Sequence, residues 1–300
     1  MNNGRMISLI LAIIIAFSAV PMAYGTGDSA DYNYAPIAEN IEVKTYKNVA
    51  VTGNVSATDP DGESVTFYIS EAPKKGELTF SQDGSFQYTP YEEIKGKDCF
   101  YYYAVDEKGG VSNEATVKII IEKQKTEVWY SDLLEDEGHY AALVLAENGV
   151  YTGECIGNEY FFGGETAVTK GRFLAMCMKL CGAEAVEGVV ETGFSDDGDI
   201  PMWVKPYAAA ALMTGVIDAS QTELNAHTAI TKGEAMVILD GVMNITDVIC
   251  HEEDGVMQAF ANLSACNIVG EDAASGVDTE LTMAEAAEML AGAYEILEKR

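Results

Sequence analysis

The hydrophobic period changes once along this chain, at Lys123-Gln124-Lys125, and no single layer of structure fits both sides of that change. Before it, apolar residues alternate with polar ones, which turns one face of a strand toward a core. After it they recur at helical spacing, which makes the apolar stripe of an α-helix. The chain therefore reads as multidomain, an all-β part followed by an all-α part.

In the first part, Val43, Val49, Val51 and Val55 lead into a turn at Asp59-Pro60-Asp61-Gly62. Val65 to Ile69 and Glu77 to Phe80 alternate, Asp83-Gly84 makes a tight turn, and Phe100 to Val105 and Ala115 to Ile121 complete the set. Short β-branched and aromatic runs closed by Asp-Gly and Pro predict an antiparallel sandwich of about seven strands over residues 33–122. The strings Asn33-Tyr34-Ala35-Pro36, Ala57-Thr58-Asp59-Pro60-Asp61-Gly62 and Gly84-Ser85-Phe86-Gln87-Tyr88-Thr89-Pro90 resemble the bacterial cadherin-like or immunoglobulin-like repeat of extracellular adhesins. Gly96 to Phe100 and Tyr103 to Gly110 continue the resemblance, with Cys99 where that family usually has serine. Two readings stand for Asp59, Asp61 and Asp106. Loop carboxylates are suitable calcium ligands, yet Asp-Pro-Asp-Gly is a good turn on backbone grounds alone. Such domains bind calcium mainly between tandem copies and a single copy is visible, which favours the turn; no other cofactor is expected.

The second part, residues 128–300, divides into three similar units at about 128–185, 192–245 and 252–300. The first opens at Trp129-Tyr130-Ser131-Asp132, reaches Gly149-Val150-Tyr151-Thr152-Gly153 and restarts at Thr169-Lys170-Gly171-Arg172. The second has Phe194-Ser195-Asp196, Trp203-Val204-Lys205-Pro206-Tyr207, Gly215-Val216-Ile217 and Thr231-Lys232-Gly233-Glu234. The third is eroded and ends in Thr282-Met283-Ala284-Glu285. Each unit reads helix, loop, helix, and a single pair cannot bury its apolar stripe, so the three are expected to share a core. This thread of motifs resembles S-layer homology repeats over the whole segment. That resemblance implies a three-repeat pseudo-trimer that binds an anionic, often pyruvylated, secondary cell-wall polysaccharide and anchors its protein noncovalently to a Gram-positive type wall. Other surface-layer proteins are further expected partners.

Thr231 with Glu234, and Thr282 with Glu285, have capping-box spacing, so the two glutamates are read as caps. Arg172 breaks the box in the first unit. A cation in the first turn of a helix opposes the macrodipole, yet Lys170 and Lys232 both stand there, in a half with only seven basic residues after position 126. Bare N–H groups plus a lysine make an anion site, so Lys170 and Lys232, with Arg172 and Lys205 beside them, are the expected polysaccharide contacts. Met283 removes that charge from the third unit. Trp129, Trp203, Tyr140 and Tyr207 fit either sugar stacking or core closure. Gly149 and Gly215 fit helix ends first and close ligand approach second.

The compartment follows from the start of the chain. Arg5, the apolar run Ile7 to Val20 and the small-residue site Ala23-Tyr24-Gly25 have the layout of a secretory signal peptide over residues 1–25, too short to prefer spanning. Secretion to the wall, with no membrane span after cleavage, is expected. A net charge of -30, from 48 acidic against 18 basic residues, argues against nucleic acid as a partner. The six cysteines show no regular spacing, and Cys177 and Cys181, one turn apart, have poor geometry for a bridge; both the thiol and the disulfide reading stay open. His139, His227 and His251 fall in no catalytic or metal-binding arrangement, and a glycosidase would need two convergent carboxylates that no motif identifies. The expectation is a noncatalytic wall anchor displaying an immunoglobulin-like domain; the alternative is an adhesion or assembly module whose repeats contact protein.

Overall fold

The computed structural model describes residues 33–133, 138–245 and 254–299; the signal-peptide reading at residues 1–25 lies outside them, as do Cys250 and His251. Nine strands form the first domain: β1 (Ile37–Ala38), β2 (Ile41–Tyr46), β3 (Val51–Asn54), β4 (Ala57–Thr58), β5 (Val65–Glu71), β6 (Gly76–Phe80), β7 (Ser85–Pro90), β8 (Gly96–Asp106) and β9 (Ala115–Glu122). A four-stranded sheet, β2-β9-β8-β5, faces a three-stranded sheet, β3-β7-β6, and β1 pairs with β4. Strand β9 shows why. Its inward residues Ala115, Val117, Ile119 and Ile121 are all buried, and they alternate with half-buried neighbours. Between the sheets Phe86 meets Phe100 edge-on at 5.2 Å, above Tyr88 and Tyr102, which are fully buried. The Tyr88 hydroxyl donates to Asp98 at 2.9 Å, and the amides of Lys74 and Lys75 donate to the same carboxylate, so the buried charge is satisfied. One pairing departs from the antiparallel expectation: β2 runs parallel to β9, with Ile41 opposite Val117. Alternation reports which face is buried and says nothing of strand direction, so the sequence carried no signal for it.

Among the described residues the second domain holds six α-helices: α1 (His139–Glu147), α2 (Lys170–Leu180), α3 (Lys205–Thr214), α4 (Lys232–Met243), α5 (Gly255–Ala265) and α6 (Met283–Lys299). A hairpin of β10 (Glu154–Ile156) and β11 (Glu159–Phe161) lies between α1 and α2, where the sequence reads as plain loop. Helices do not pair within a unit. The second helix of each unit packs on the first helix of the next, α2 on α3 and α4 on α5, and α6 closes the circle on α1. Helices α2, α4 and α6 also touch one another. Side chains from all three units build one main core, including Phe173, Leu239, Leu263 and Leu290. A satellite core lies around α2 and α3, with Met178, Phe194 and Val204. Cys177 is buried in the main core, whereas Cys181 stands exposed at the end of α2. The five cysteines among the described residues are free thiols.

The two domains are joined by more than the linker. Tyr46 and Val49 of the sandwich are part of the helical core, and the Tyr46 ring lies 5.5 Å from that of Tyr140 on α1. The Tyr140 hydroxyl donates to Glu295 of α6 at 2.9 Å, and Lys44 pairs with Glu298 at 3.3 Å. Glu147 accepts from the amides of Lys125 and Thr126, which pins the linker to α1.

Candidate functional site

The expected anion contacts lie where the three units meet, and that junction is built from the backbone upward. Three residues, each one place before a helix-capping threonine, hydrogen-bond in a circle. Val168 N–H donates to Leu281 O (2.9 Å), Leu281 N–H to Ile230 O (2.9 Å) and Ile230 N–H to Val168 O (2.8 Å). A second circle follows at the first helical residue. The amides of Lys170, Lys232 and Met283 donate to the carbonyls of Thr228, Thr279 and Thr166 at 2.9, 2.9 and 2.8 Å. A third follows one residue on, where Gly171, Gly233 and Ala284 donate to Ala226, Val277 and Gly164 at 3.0, 2.8 and 2.9 Å.

This third circle accounts for the glycines. A Cβ on Gly171 would stand 3.0 Å from Ala226 O, and one on Gly233 would stand 3.1 Å from Val277 O. Where the third unit carries Ala284, the opposing residue is Gly164. Each contact thus has a glycine on one side.

The threonine caps complete the helix starts. Thr231 and Glu234 form a reciprocal capping box, with Glu234 N–H to the Thr231 hydroxyl at 3.2 Å and Thr231 N–H to Glu234 Oε2 at 3.1 Å. Thr282 and Glu285 repeat it, at 3.3 and 3.0 Å. Thr169 accepts from Arg172 N–H at 3.4 Å. The expectation of bare N–H groups at these helix ends is therefore corrected: the first two amides bond to the neighbouring unit and the third to the cap. Any anion held here is held by side chains.

The lysines sit across the same junctions. Lys170 Nζ reaches Glu234 Oε1 at 2.6 Å, and Lys232 Nζ reaches Glu285 Oε1 at 2.6 Å. Each glutamate uses one oxygen for its own cap and the other for the preceding unit's lysine. Burial pushes the Glu234 and Glu285 carboxyls up, but the lysine and the threonine amide outweigh it and hold both below the ordinary carboxylate range. The lysine side chains keep 25% and 30% exposure, enough to offer remaining N–H donors to a ligand.

The other expected residues divide. Arg172 makes no ion pair among the described residues; its guanidinium lies 5.8 Å from the centre of the Tyr151 ring. Lys205 departs from expectation. It is 6% exposed and donates to Asp197 Oδ2 (2.6 Å) and Val190 O (3.0 Å), so its charge is engaged inside the fold. Lys205 and Thr192 together hold Asp197 down at about 2. Trp129 lies against His139 at 4.5 Å and is partly exposed, whereas Trp203 stands out at 54% exposure. Gly149 and Gly215 have positive φ, 67° and 77°, at the ends of α1 and α3, as helix termination requires. Tyr140 packs on Tyr46, and Lys179 lies over the Tyr207 ring at 5.9 Å.

Sequence reasoning missed two acidic residues. Asp132 accepts from the amides of Phe162 and Gly163, and Asp196 accepts from those of Leu224 and Asn225 in the equivalent loop. The repeated Ser-Asp of Tyr130-Ser131-Asp132 and Phe194-Ser195-Asp196 was the available signal.

At the far end of the sandwich, the three aspartates considered for calcium are turn-closing acceptors. Asp59 Oδ1 accepts from Asp61 and Glu63 N–H, Asp61 from Tyr34 N–H, and Asp106 from Lys108 and Gly110 N–H and the Asn33 side chain. Among the described residues, no three His, Cys, Asp or Glu side chains converge to hold a metal. One oxygen each of Asn33, Asp59 and Glu63 is nevertheless buried without a donor.

Residues 33–123 match the family profile of the bacterial cadherin-like domain. That segment is a bacterial cadherin-like domain. Its match covers under a third of the chain and ends before the helical half. No curated protein matches the chain. Solved structures similar to part of it include an endo-fucoidan hydrolase of glycoside hydrolase family 107, at 15% identity over 30% of this chain, with a TM-score of 0.25. The chain spans 14% of that enzyme's length. Fibronectin(III)-like modules of Clostridium thermocellum CbhA align at 20% identity over 32% of this chain and 51% of theirs, with a TM-score of 0.22. A human PKD domain aligns at 9% identity over 35% of this chain and 99% of its own, with a TM-score of 0.25. Helices α1 to α6 follow the cadherin-like domain, and among the described residues no helix is long and apolar enough to cross a membrane.

Proposed function

We propose that this is an exported, noncatalytic surface protein whose three helical units are S-layer homology repeats arranged as a pseudo-trimer. The units bind an anionic secondary cell-wall polysaccharide and hold the cadherin-like domain at a Gram-positive type wall. The observation that carries this reading is the triple circle of inter-unit hydrogen bonds, which treats the three Thr-capped helix starts as equivalent. Lys170 and Lys232 stand at matching junctions with their side chains part-exposed. Carboxylates or ketals on the polymer would take the remaining lysine donors, in competition with Glu234 and Glu285.

The test is co-sedimentation of the mature chain with purified walls before and after the secondary polymer is stripped. Pelleting is expected to vanish on stripping and to fall in Lys170→Gln/Lys232→Gln; unchanged pelleting of that double variant refutes the site. A second reading, an adhesion or assembly module, draws on Met202 and Trp203, adjacent side chains 62% and 54% exposed. It is favoured if neither wall preparation binds and Trp203→Ser abolishes self-association.

A further inference from the structure

A groove of about 610 Å³ runs between the sandwich and the helices, away from the Lys170 and Lys232 junctions. Its size falls within the range of small-ligand sites, roughly 300–1,000 Å³. One wall is the outer face of the three-stranded sheet, carrying Thr52 and Asn54 on β3, Thr79 and Ser81 on and after β6, and Gln87 on β7. None of these five side chains has a hydrogen-bond partner among the described residues. The opposite wall is Tyr140 on α1 with Glu288 and Glu295 on α6, and Ala291 and Gly292 keep that helix surface low.

Both walls are fixed. Tyr46 packs on Tyr140, Tyr140 bonds Glu295 and Lys44 pairs with Glu298, so the groove exists before any ligand arrives and little ordering opposes binding.

The chemistry of the lining selects a ligand class. Five neutral hydroxyl and amide groups both donate and accept, which matches a ligand offering both on many edges. The charged groups of the lining are Glu42, Glu288 and Glu295 against Lys44, an acidic balance that disfavours phosphate, sulfate and uronate. Val51 and Phe86 lie beneath the surface at 6% and 4% exposure, and the open lining is about evenly polar and apolar, which suits the hydroxyl edges and C–H faces of sugar rings.

We propose that this groove binds a neutral oligosaccharide, a second glycan contact independent of the anionic polymer and built jointly by the two domains. The test is isothermal titration and amide-shift mapping of the full mature chain with cellohexaose, chitohexaose and mannohexaose. A hyaluronan hexasaccharide and a pool of extended decapeptides are the controls. At least one neutral hexasaccharide is expected to bind and to shift Thr52 to Asn54 and Ser85 to Gln87. Asn54→Ala/Gln87→Ala removes two ligand hydrogen bonds and should weaken that binding about tenfold. It should leave wall sedimentation and the circular dichroism spectrum unchanged. No binding of any neutral hexasaccharide at millimolar concentration overturns the proposal. So does binding that ignores the double variant, or capture of hyaluronan or peptide in the groove instead.

Discussion

Replacing Lys232 by methionine copies what the third unit already has at the same register, Met283, and removes one side of an inter-unit ion pair. The Lys232–Glu285 pair is 2.6 Å long with side chains 30% and 39% exposed. An exposed pair contributes about 0.2–1 kcal/mol, and solvent screening at this exposure keeps the value inside that range. Glu285→Gln removes the charge while its amide oxygen can still accept from Thr282 N–H, a bond now 3.0 Å long. Each single variant should therefore cost about 1 kcal/mol, and the double variant less than their sum by a coupling of about 0.5–1 kcal/mol. Over a domain of this size that is a shift of about 2–4 °C per kcal/mol in thermal melting. Urea unfolding of the four proteins at pH 7 supplies the cycle, and repetition in 1 M NaCl should reduce the coupling without abolishing it. Additivity within about 0.2 kcal/mol would refute the claim that the pair links the units. The circles of backbone bonds would then carry the junction alone.

Gly233→Ala gains helix propensity of about 1 kcal/mol, but the new Cβ would stand 3.0 Å from Val256 Cγ1, 3.1 Å from Val277 O and 3.3 Å from Val277 Cβ, so these must shift. A net loss of about 1 kcal/mol in urea unfolding is expected, partly recovered by Val277→Gly, which copies the Ala284–Gly164 solution. Asp98, Asp197, Glu234 and Glu285 all have folded pKa values below their unfolded ones. Their stabilisation is present above the unfolded carboxylate range, about pH 4, and is lost as pH falls through the folded values, so melting temperature should drop between about pH 4 and pH 2. A melting temperature that keeps rising below pH 4 would mean that relief of acidic self-repulsion dominates instead. Tyr46→Ala opens the shared core and should lower stability of the helical half by about 3 kcal/mol, read from helical ellipticity on heating. Millimolar calcium should leave the melting temperature unchanged; a clear rise would assign the unpaired oxygens of Asn33, Asp59 and Glu63 to an ion.

The sandwich was legible because strand alternation and Asp-Gly turns are local signals. Val117, Ile119, Phe100 and Tyr102 could be placed inside from spacing alone. Most helices were legible for the same reason, and the Thr231 and Thr282 boxes were read correctly from four-residue spacing. What the sequence could not show was which helices pair, since packing α6 on α1 is a contact between chain segments more than a hundred residues apart. The fate of the helix-end amides was hidden likewise, because their acceptors lie in the next unit. One local signal was present and overlooked. Thr166, Thr228 and Thr279 each precede a capping threonine by three residues, and each supplies the carbonyl that receives a neighbouring helix's first amide.

Arg172 and Met283, which look in the sequence like two separate losses from the repeat pattern, are one change when placed in the circle. The register that sets Lys170 against Glu234 and Lys232 against Glu285 sets position 283 against position 172. A lysine at 283 would face an arginine, and Met283 is fully buried, so a charge there would be desolvated without an acidic partner. Methionine removes that repulsion and fills the space, while Arg172 turns to the face of Tyr151. The backbone bonds of this third junction are as short as those of the other two. The hydrogen-bond circles therefore hold the units together with or without an ion pair, and the charges at positions 170, 172, 232 and 283 are free to vary without loss of the junction.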